Sequence, residues 1–276
     1  MGVAAAMNDF VRGVWVVAYR EFLRLLRDRA RFVSAFAMPL LFLVIFGAGF
    51  NRSVGPLSED VDYIKFVYPG LIAQTVFMVS MFAGLSVVWD REFGFLRELL
   101  IAPISRSSIV FGKILGAAGI AVFQGLLMLV LAPVVGVPLS VLTVLKLAVL
   151  LIVLSVSLSS IGMALASRLR TQQGFQIFIQ IFMFPAVFIS GVLFPVNDVP
   201  RWLEVVSKVN PLTYGVDAVR QVFLTSQTVT VASGEPPILG IVFFSHTTTV
   251  FIDIAVLGLF GAAMFFIALW MFNRQA

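Results

Sequence analysis

The sequence predicts an all-α integral membrane protein, and three observations carry that prediction. Apolar residues fill 60% of the 276 positions and charged residues only 12%, so most of the chain is suited to lipid rather than water. Mean hydropathy is +1.04. The apolar residues gather in runs long enough to cross about 30 Å of hydrocarbon at about 1.5 Å per residue, with charged islands between them. The length allows several spans and leaves little for a separate soluble domain, so residues 1–276 read as one transmembrane domain.

The N-terminal segment is cationic and amphipathic. Over 10–31, Val11, Trp15, Ala18, Phe22 and Leu25 follow one helical stripe while Arg20, Arg24, Arg27 and Arg31 follow another. That pattern predicts a helix lying in the headgroup plane with its arginines toward anionic lipid. A signal peptide would place its cationic region before its apolar core, and here the order is reversed. Position 6 is Ala, which does not satisfy the myristoylation pattern, and Met7 offers an alternative start.

Six candidate spans follow, at 32–50, 66–88, 114–135, 147–167, 174–195 and 250–272. An even number puts both termini on one side. With the N-terminus inside, inner segments hold thirteen Lys and Arg against six outside, so the topology is N-in/C-in. Pro39, Pro69, Pro133 and Pro185 read as kinks that neighbouring groups tolerate. Gly112 and Gly116 form a small-xxx-small pair that serves either intrachain packing or a dimer seam.

Between the second and third spans lies the charged island 89–103, which this orientation places in the cytoplasm. On a helix, Phe93, Leu96 and Leu100 form one stripe and Asp90, Arg91, Glu92, Arg97 and Glu98 the polar remainder. Pro103 limits that helix, and Ser105 or Ser107 caps the next. A short amphipathic helix across the mouth of a bundle is a handle for a soluble partner; a solvated loop is the plainer alternative.

The outer segment 196–249 predicts two short helices. One carries Trp202, Val205 and Val206 on a face, the other Leu212, Val216, Val219 and Phe223. They either dip into the bundle and return, or lie on its outer surface. The apolar run Ile238–Phe244 offers an early start to the last span.

Chemistry is largely excluded. One histidine, His246, and no cysteine provide neither a common zinc set nor a base for a nucleophilic serine. The only Gly-Lys pair, Gly112-Lys113, lacks the remainder of a phosphate-binding loop. Basic residues flank apolar runs rather than forming a nucleic-acid patch. Within the six runs Asp253 is the one carboxylate at depth, which keeps an ion-gradient-driven transporter as an alternative, with a non-transporting membrane scaffold as another. Gln176, Gln180, Phe184 and Phe188 of the fifth span are candidates for a substrate path, against phenylalanines that simply face lipid.

Two stretches carry a resemblance. Asp90-Arg91-Glu92-Phe93-Gly94-Phe95-Leu96-Arg97-Glu98-Leu99-Leu100-Ile101-Ala102-Pro103, then Ser105-Arg106 and Gly112-Lys113, form the first. Ser190-Gly191, Phe194-Pro195, Pro200, Trp202-Leu203, Asn210-Pro211-Leu212-Thr213-Tyr214, Asp217 and Arg220 form the second. Together they resemble the membrane-spanning permease subunit of type-2 ATP-binding-cassette exporters, the family of daunorubicin-resistance and polysaccharide-export permeases. The resemblance implies a multi-pass protein of the bacterial inner membrane, paired with a second permease protomer, in the simplest case as a homodimer. Two ATPase subunits would dock beneath and bind the ATP and Mg, leaving no cofactor on this chain. It also implies that 10–31 is an interface helix and 89–103 a coupling helix, with Asp90, Arg91, Glu92, Phe93, Gly94, Leu96, Arg97 and Glu98 meeting the ATPase. The outer helices of 196–224 would shape a gate through Trp202, Asn210, Pro211, Tyr214, Asp217 and Arg220. The substrate would be an amphipathic drug, lipid or glycan.

Overall fold

The computed structural model describes residues 3–27, 63–95, 105–136, 139–169, 171–193, 199–225 and 249–274, isolated positions between 33 and 45, positions 101 and 196, and two short strands. Helices in chain order are α1 (Val3–Arg27), α2 (Tyr63–Met81), α3 (Leu85–Glu92), α4 (Arg106–Leu129), α5 (Val141–Arg168), α6 (Gln172–Ile189), α7 (Arg201–Val209), α8 (Pro211–Thr225) and α9 (Val250–Asn273). A 3₁₀ turn, Phe82–Gly84, joins α2 to α3. Strands β1 (Val242–Phe243) and β2 (His246–Thr247) pair antiparallel.

Among the described residues five helical segments are long and apolar enough to cross a membrane: Ile64–Glu92, Arg106–Leu129, Val141–Arg168, Gln172–Ile189 and Val250–Asn273. The expected span at 32–50 falls largely outside the described residues.

Caps explain where several of these helices begin. Ser105 Oγ accepts the amide of Ser108 at 3.1 Å, Ser140 Oγ that of Thr143 at 3.1 Å, and Thr171 Oγ1 that of Gly174 at 3.2 Å. Ser105 is therefore the cap that starts α4, eight residues before the expected edge at 114. Apolar run-length misses this turn because it contains Arg106 and Lys113, and Lys113 is buried by pairing rather than excluded by charge. The run Ile238–Phe244 does not open the last helix early. Val242 and Phe243 are strand, and α9 begins at Val250.

Helix α5 is the hub of the bundle, packed against α2, α4, α8 and α9. Glycine sets its closest crossings. A Cβ at Gly84 would stand 2.1 Å from the Gly162 carbonyl oxygen, and one at Gly162 2.5 Å from that of Met81. On the opposite side Gly261 of α9 leaves room for Ser157, whose hydroxyl donates to the Leu257 carbonyl at 2.8 Å. Small residues let membrane helices approach in this way, where lipid offers no hydrophobic drive to hold them together.

Helix α1 differs from its expected disposition. Its seated stripe is Gly13, Val17 and Glu21, laid on α4, while Val11 and Trp15 of the expected stripe are exposed. Gly112 and Gly116 form the seat: a Cβ at Gly112 would strike Val17, and one at Gly116 would strike the Glu21 Cβ. In this chain the small-xxx-small pair thus packs α1 on α4. Arg20 turns to Asp90, with a 3.0 Å bond, rather than standing as one of a lipid-facing row. The side chains of Arg24 and Arg27, and Arg31 as a whole, lie outside the described residues.

Candidate functional site

Four constructions make up the candidate site, two at the end of the bundle that carries the charged island, one at the opposite end and one along the side. At the end of the bundle that carries the charged island, the Lys113 ammonium on α4, fully buried, donates to Asp90 Oδ2 at 2.6 Å, to Ser86 Oγ at 3.0 Å and to Glu21 Oε1 at 3.1 Å. An ammonium has three protons, and all three are used. Arg20 adds a second cation on Asp90 and lies 3.6 Å from Glu21. Among the described residues the two cations balance the two carboxylates, which allows burial that an isolated charge would not survive. The cluster ties α1, α3 and α4 together just inside the charged island.

The island itself is built differently from a single helix over 89–103. Residues 89–92 finish α3, and Gly94 then turns the chain at φ +82°, a left-handed conformation that ends a helix and suits glycine. Arg91 donates to the Leu169 carbonyl at 2.8 Å at the end of α5, and Glu92 accepts the Gln172 amide at 3.0 Å at the start of α6. Both charges therefore cap the turn between α5 and α6. Phe93 and Phe95, 67% and 54% exposed, stand outward on either side of Gly94. Leu96, Arg97 and Glu98 lie outside the described residues.

At the other end, the chain after α6 is bound back onto it. Asn210 Nδ2 donates to the Ala186 carbonyl at 2.7 Å, and Arg220 donates to the Gly191 carbonyl at 2.7 Å while resting 3.9 Å over the Phe66 ring. Asn210 Oδ1 also accepts the Leu212 amide at 3.1 Å, which with Pro211 at the first helical position starts α8. The Tyr214 hydroxyl donates to the Lys208 carbonyl at 2.7 Å and closes the end of α7. Leu212, Val216, Val219 and Phe223, the expected apolar face, are all buried, and α8 packs against α2, α5 and α9. Trp202 is exposed on α7, with Val205, Val206 and Val209. Gln221 Nε2 joins two buried carboxylates, Asp217 at 2.9 Å and Asp253 at 3.2 Å.

Between α2 and α6 lies a cavity of about 620 Å³. Gln74, Met78 and Phe82 line one wall; Gln180, Phe184 and Phe188 line the other. Three of the four residues expected on the substrate path therefore share one cavity, and Gln176 is not part of its lining. Among the described residues that line it none is ionisable, and the polar groups they offer are the two amides of Gln74 and Gln180 in an apolar wall.

Sequence reasoning missed Lys113, Glu21, Ser86, Gln74 and Gln221. Lys113 carried a signal, a cation one residue short of an apolar run, but a span starting at 114 left it outside. Gln74 lies in the second run and is visible there as its one amide side chain.

Residues 12–224 match the family model for the ABC-2 type transporter. The transport permease ycf38 of Cyanophora paradoxa is 31% identical, over 76% of this chain and 74% of its own length. The multidrug ABC transporter permease YbhR of Escherichia coli K12 is 32% identical, over 60% of this chain and 46% of that protein. The daunorubicin resistance ABC transporter permease protein DrrB1 of Streptomyces coeruleorubidus is 25% identical, over 79% of this chain and 76% of that protein. With five long apolar helices among its described residues, the chain belongs to the ABC-2 type transporter family and is a transmembrane permease subunit of an ABC system.

Proposed function

We propose that this chain is the export permease of a two-component pump, with the energy supplied by a separate ATPase on its cytoplasmic face. In this reading residues 1–276 form one permease domain of six spans, N-in/C-in, with 32–50 as the first span and the bacterial inner membrane as its home. Two ATPase subunits bind ATP and Mg and engage two permease protomers, here a homodimer. The chain itself carries no cofactor and performs no hydrolysis.

The observation that supports this best is the inner turn. Asp90, Arg91 and Glu92 all make contacts within the chain, and what faces outward is an aromatic pair around a left-handed glycine. Phe93 and Phe95 are hydrophobic knobs on a turn held rigid by capped helix ends, suited to a groove on a partner. The charged contacts expected from Arg97 and Glu98 would surround them. The interface helix assigned to 10–31 would lie beside this turn, with Arg20 serving the Asp90 link and Arg24, Arg27 and Arg31 proposed to meet phospholipid or the ATPase.

Substrate moves outward along the α2–α6 side, where the cavity takes an amphipathic drug, lipid or glycan-type molecule. Gln180, Phe184 and Phe188 form its contact surface, with Gln176 toward the cytoplasmic end of the same helix. The helices of 196–224 form the outer gate as re-entrant elements: Trp202 at its rim, Asn210, Pro211 and Tyr214 at the turn, and Asp217 and Arg220 within. The test is Phe93→Asp with Phe95→Asp. The double variant should insert normally yet fail to retain the ATPase on affinity purification; retention at the unaltered level would reject this turn as the docking element.

A second reading draws on Asp217 and Asp253, joined through Gln221. Buried carboxylates at membrane depth are what an ion-gradient-driven transporter uses. Transport by the permease alone, lost in Asp253→Asn, would favour that reading.

A further inference from the structure

Lys113 sits one helical turn from the place where the long α2–α3 element changes its winding. Ser86 links the two features. Its hydroxyl donates to the Ala83 carbonyl inside the 3₁₀ turn at 3.2 Å, and its oxygen accepts from the Lys113 ammonium at 3.0 Å. A short 3₁₀ stretch inside a longer helix is a place where bending is concentrated. Here Gly84 presses that stretch against Gly162 of α5, backbone to backbone. Phe82, the first residue of the turn, lines the α2–α6 cavity together with Met78 and Gln74.

We infer that Lys113 is the positioning residue that makes α1, α3 and α4 move as one body, so that a push on the inner turn bends the chain at Phe82–Gly84 and reshapes the cavity through Phe82. The inference rests on the coupling reading above and adds the route by which the push arrives. The physical reason is stiffness. Lys113 spends all three protons on two other helices, Asp90 on α3 receives both Lys113 and Arg20, and Glu21 on α1 receives Lys113. Separating any of these helices would leave a buried charge uncompensated, which is far more costly than flexing a helix at a turn with fewer regular bonds. Displacement at Phe93–Phe95 is therefore not absorbed between α3 and α1 or α4, while the Arg91 and Glu92 bonds pass part of it to the α5–α6 turn. Gly84 and Gly162 form the fulcrum, and the α2 side of the turn carries Phe82, Met78 and Gln74.

The chain has no cysteine, so labels can be placed at will. Spin-label pairs Val16→Cys/Phe123→Cys and Val16→Cys/Leu142→Cys, all at exposed positions away from the docking turn, report the distance within the proposed body and across the fulcrum. They are read in permease–ATPase complexes diluted with unlabelled permease, without nucleotide and with ATP plus vanadate. The first distance should stay fixed and the second should shift. Lys113→Gln should let the first distance shift and should bring dye-stimulated ATP hydrolysis down to the basal rate, while ATPase retention stays unchanged. Lys113→Arg should restore a fixed first distance and at least half of the stimulation. Should Lys113→Gln fail to insert, Ser86→Ala provides the milder cut, with a partial loss of stimulation expected. A first distance that shifts in the unaltered protein, or full stimulation in Lys113→Gln, overturns the inference and leaves the coupling reading standing. Failure of the ATPase to bind the unaltered permease would sink the coupling reading itself.

Discussion

The crossing of Gly84 with Gly162 should tolerate no side chain. A Cβ at Gly84 would sit 2.1 Å from the Gly162 carbonyl oxygen and 2.7 Å from the Ala166 Cβ. Non-bonded carbon contacts are comfortable at about 3.5 Å, so the helices would have to part by roughly 1 Å or more. The obstructing atom is backbone and cannot rotate away. Overpacking costs about 1–3 kcal/mol, and Ala returns at most about 1 kcal/mol of helix propensity over Gly. Gly84→Ala and Gly162→Ala should therefore be less stable than matched controls by about 2 kcal/mol. The controls are Gly119→Ala and Gly258→Ala, where an added Cβ meets nothing within 4 Å. Unfolding of the purified protein by SDS titration, followed by loss of helicity, measures the difference. If all four variants unfold at the same midpoint, the crossing is looser than described and the fulcrum has no physical basis.

Three further outcomes can be checked. Gln74→Leu and Gln180→Leu should each raise the concentration of a neutral hydrophobic dye needed for half-maximal ATPase stimulation by about 2–10-fold, the range expected for one hydrogen bond of about 0.5–1.5 kcal/mol. Arg220→Ala removes a charge-assisted bond to Gly191 and a cation–π contact, and should cost roughly 2–3 kcal/mol of stability in the same SDS titration. An epitope after Thr230 should be reached by antibody on intact spheroplasts and one after Gln275 only after permeabilisation; the reverse pattern would overturn the charge-count orientation.

Much of the fold was legible because hydrophobic run-length is a direct consequence of the solvent. Runs at 66–88, 147–167 and 250–272 correspond to the Ile64–Glu92 element, α5 and α9 with small changes at their ends. The exceptions have local causes. Lys113 defeats a rule that treats charge as a boundary, because its three acceptors come from residues 21, 86 and 90 on other helices, a partnership invisible along the chain. Gly94 ends α3 within the island, since an amphipathic spacing cannot reveal that a glycine adopts positive φ. The fifth run extends to 195 in sequence, but α6 stops at Ile189, before Ser190 and a left-handed Gly191.

The site was legible in type more than in detail. Asn210 and Arg220 could be singled out from the resemblance, but their carbonyl partners, Ala186 and Gly191, follow only from how α7 and α8 fold back onto α6. Gln180, Phe184 and Phe188 share a face because of helical spacing, and their opposite wall, Gln74, Met78 and Phe82, depends on how α2 packs. By spacing alone the charges at 91 and 92 make outward handles, because charge usually faces water. Their bonds to Leu169 and Gln172 show the competing demand of bare helix ends for caps.

The most direct test of the central claim is transport by purified components in sealed proteoliposomes, using a fluorescent hydrophobic dye as cargo. Permease with its ATPase should concentrate the dye against its gradient when ATP is supplied on the ATPase side, and permease alone should only let it equilibrate under an imposed proton or sodium gradient. Uphill movement by permease alone, driven by an ion gradient, would contradict the account.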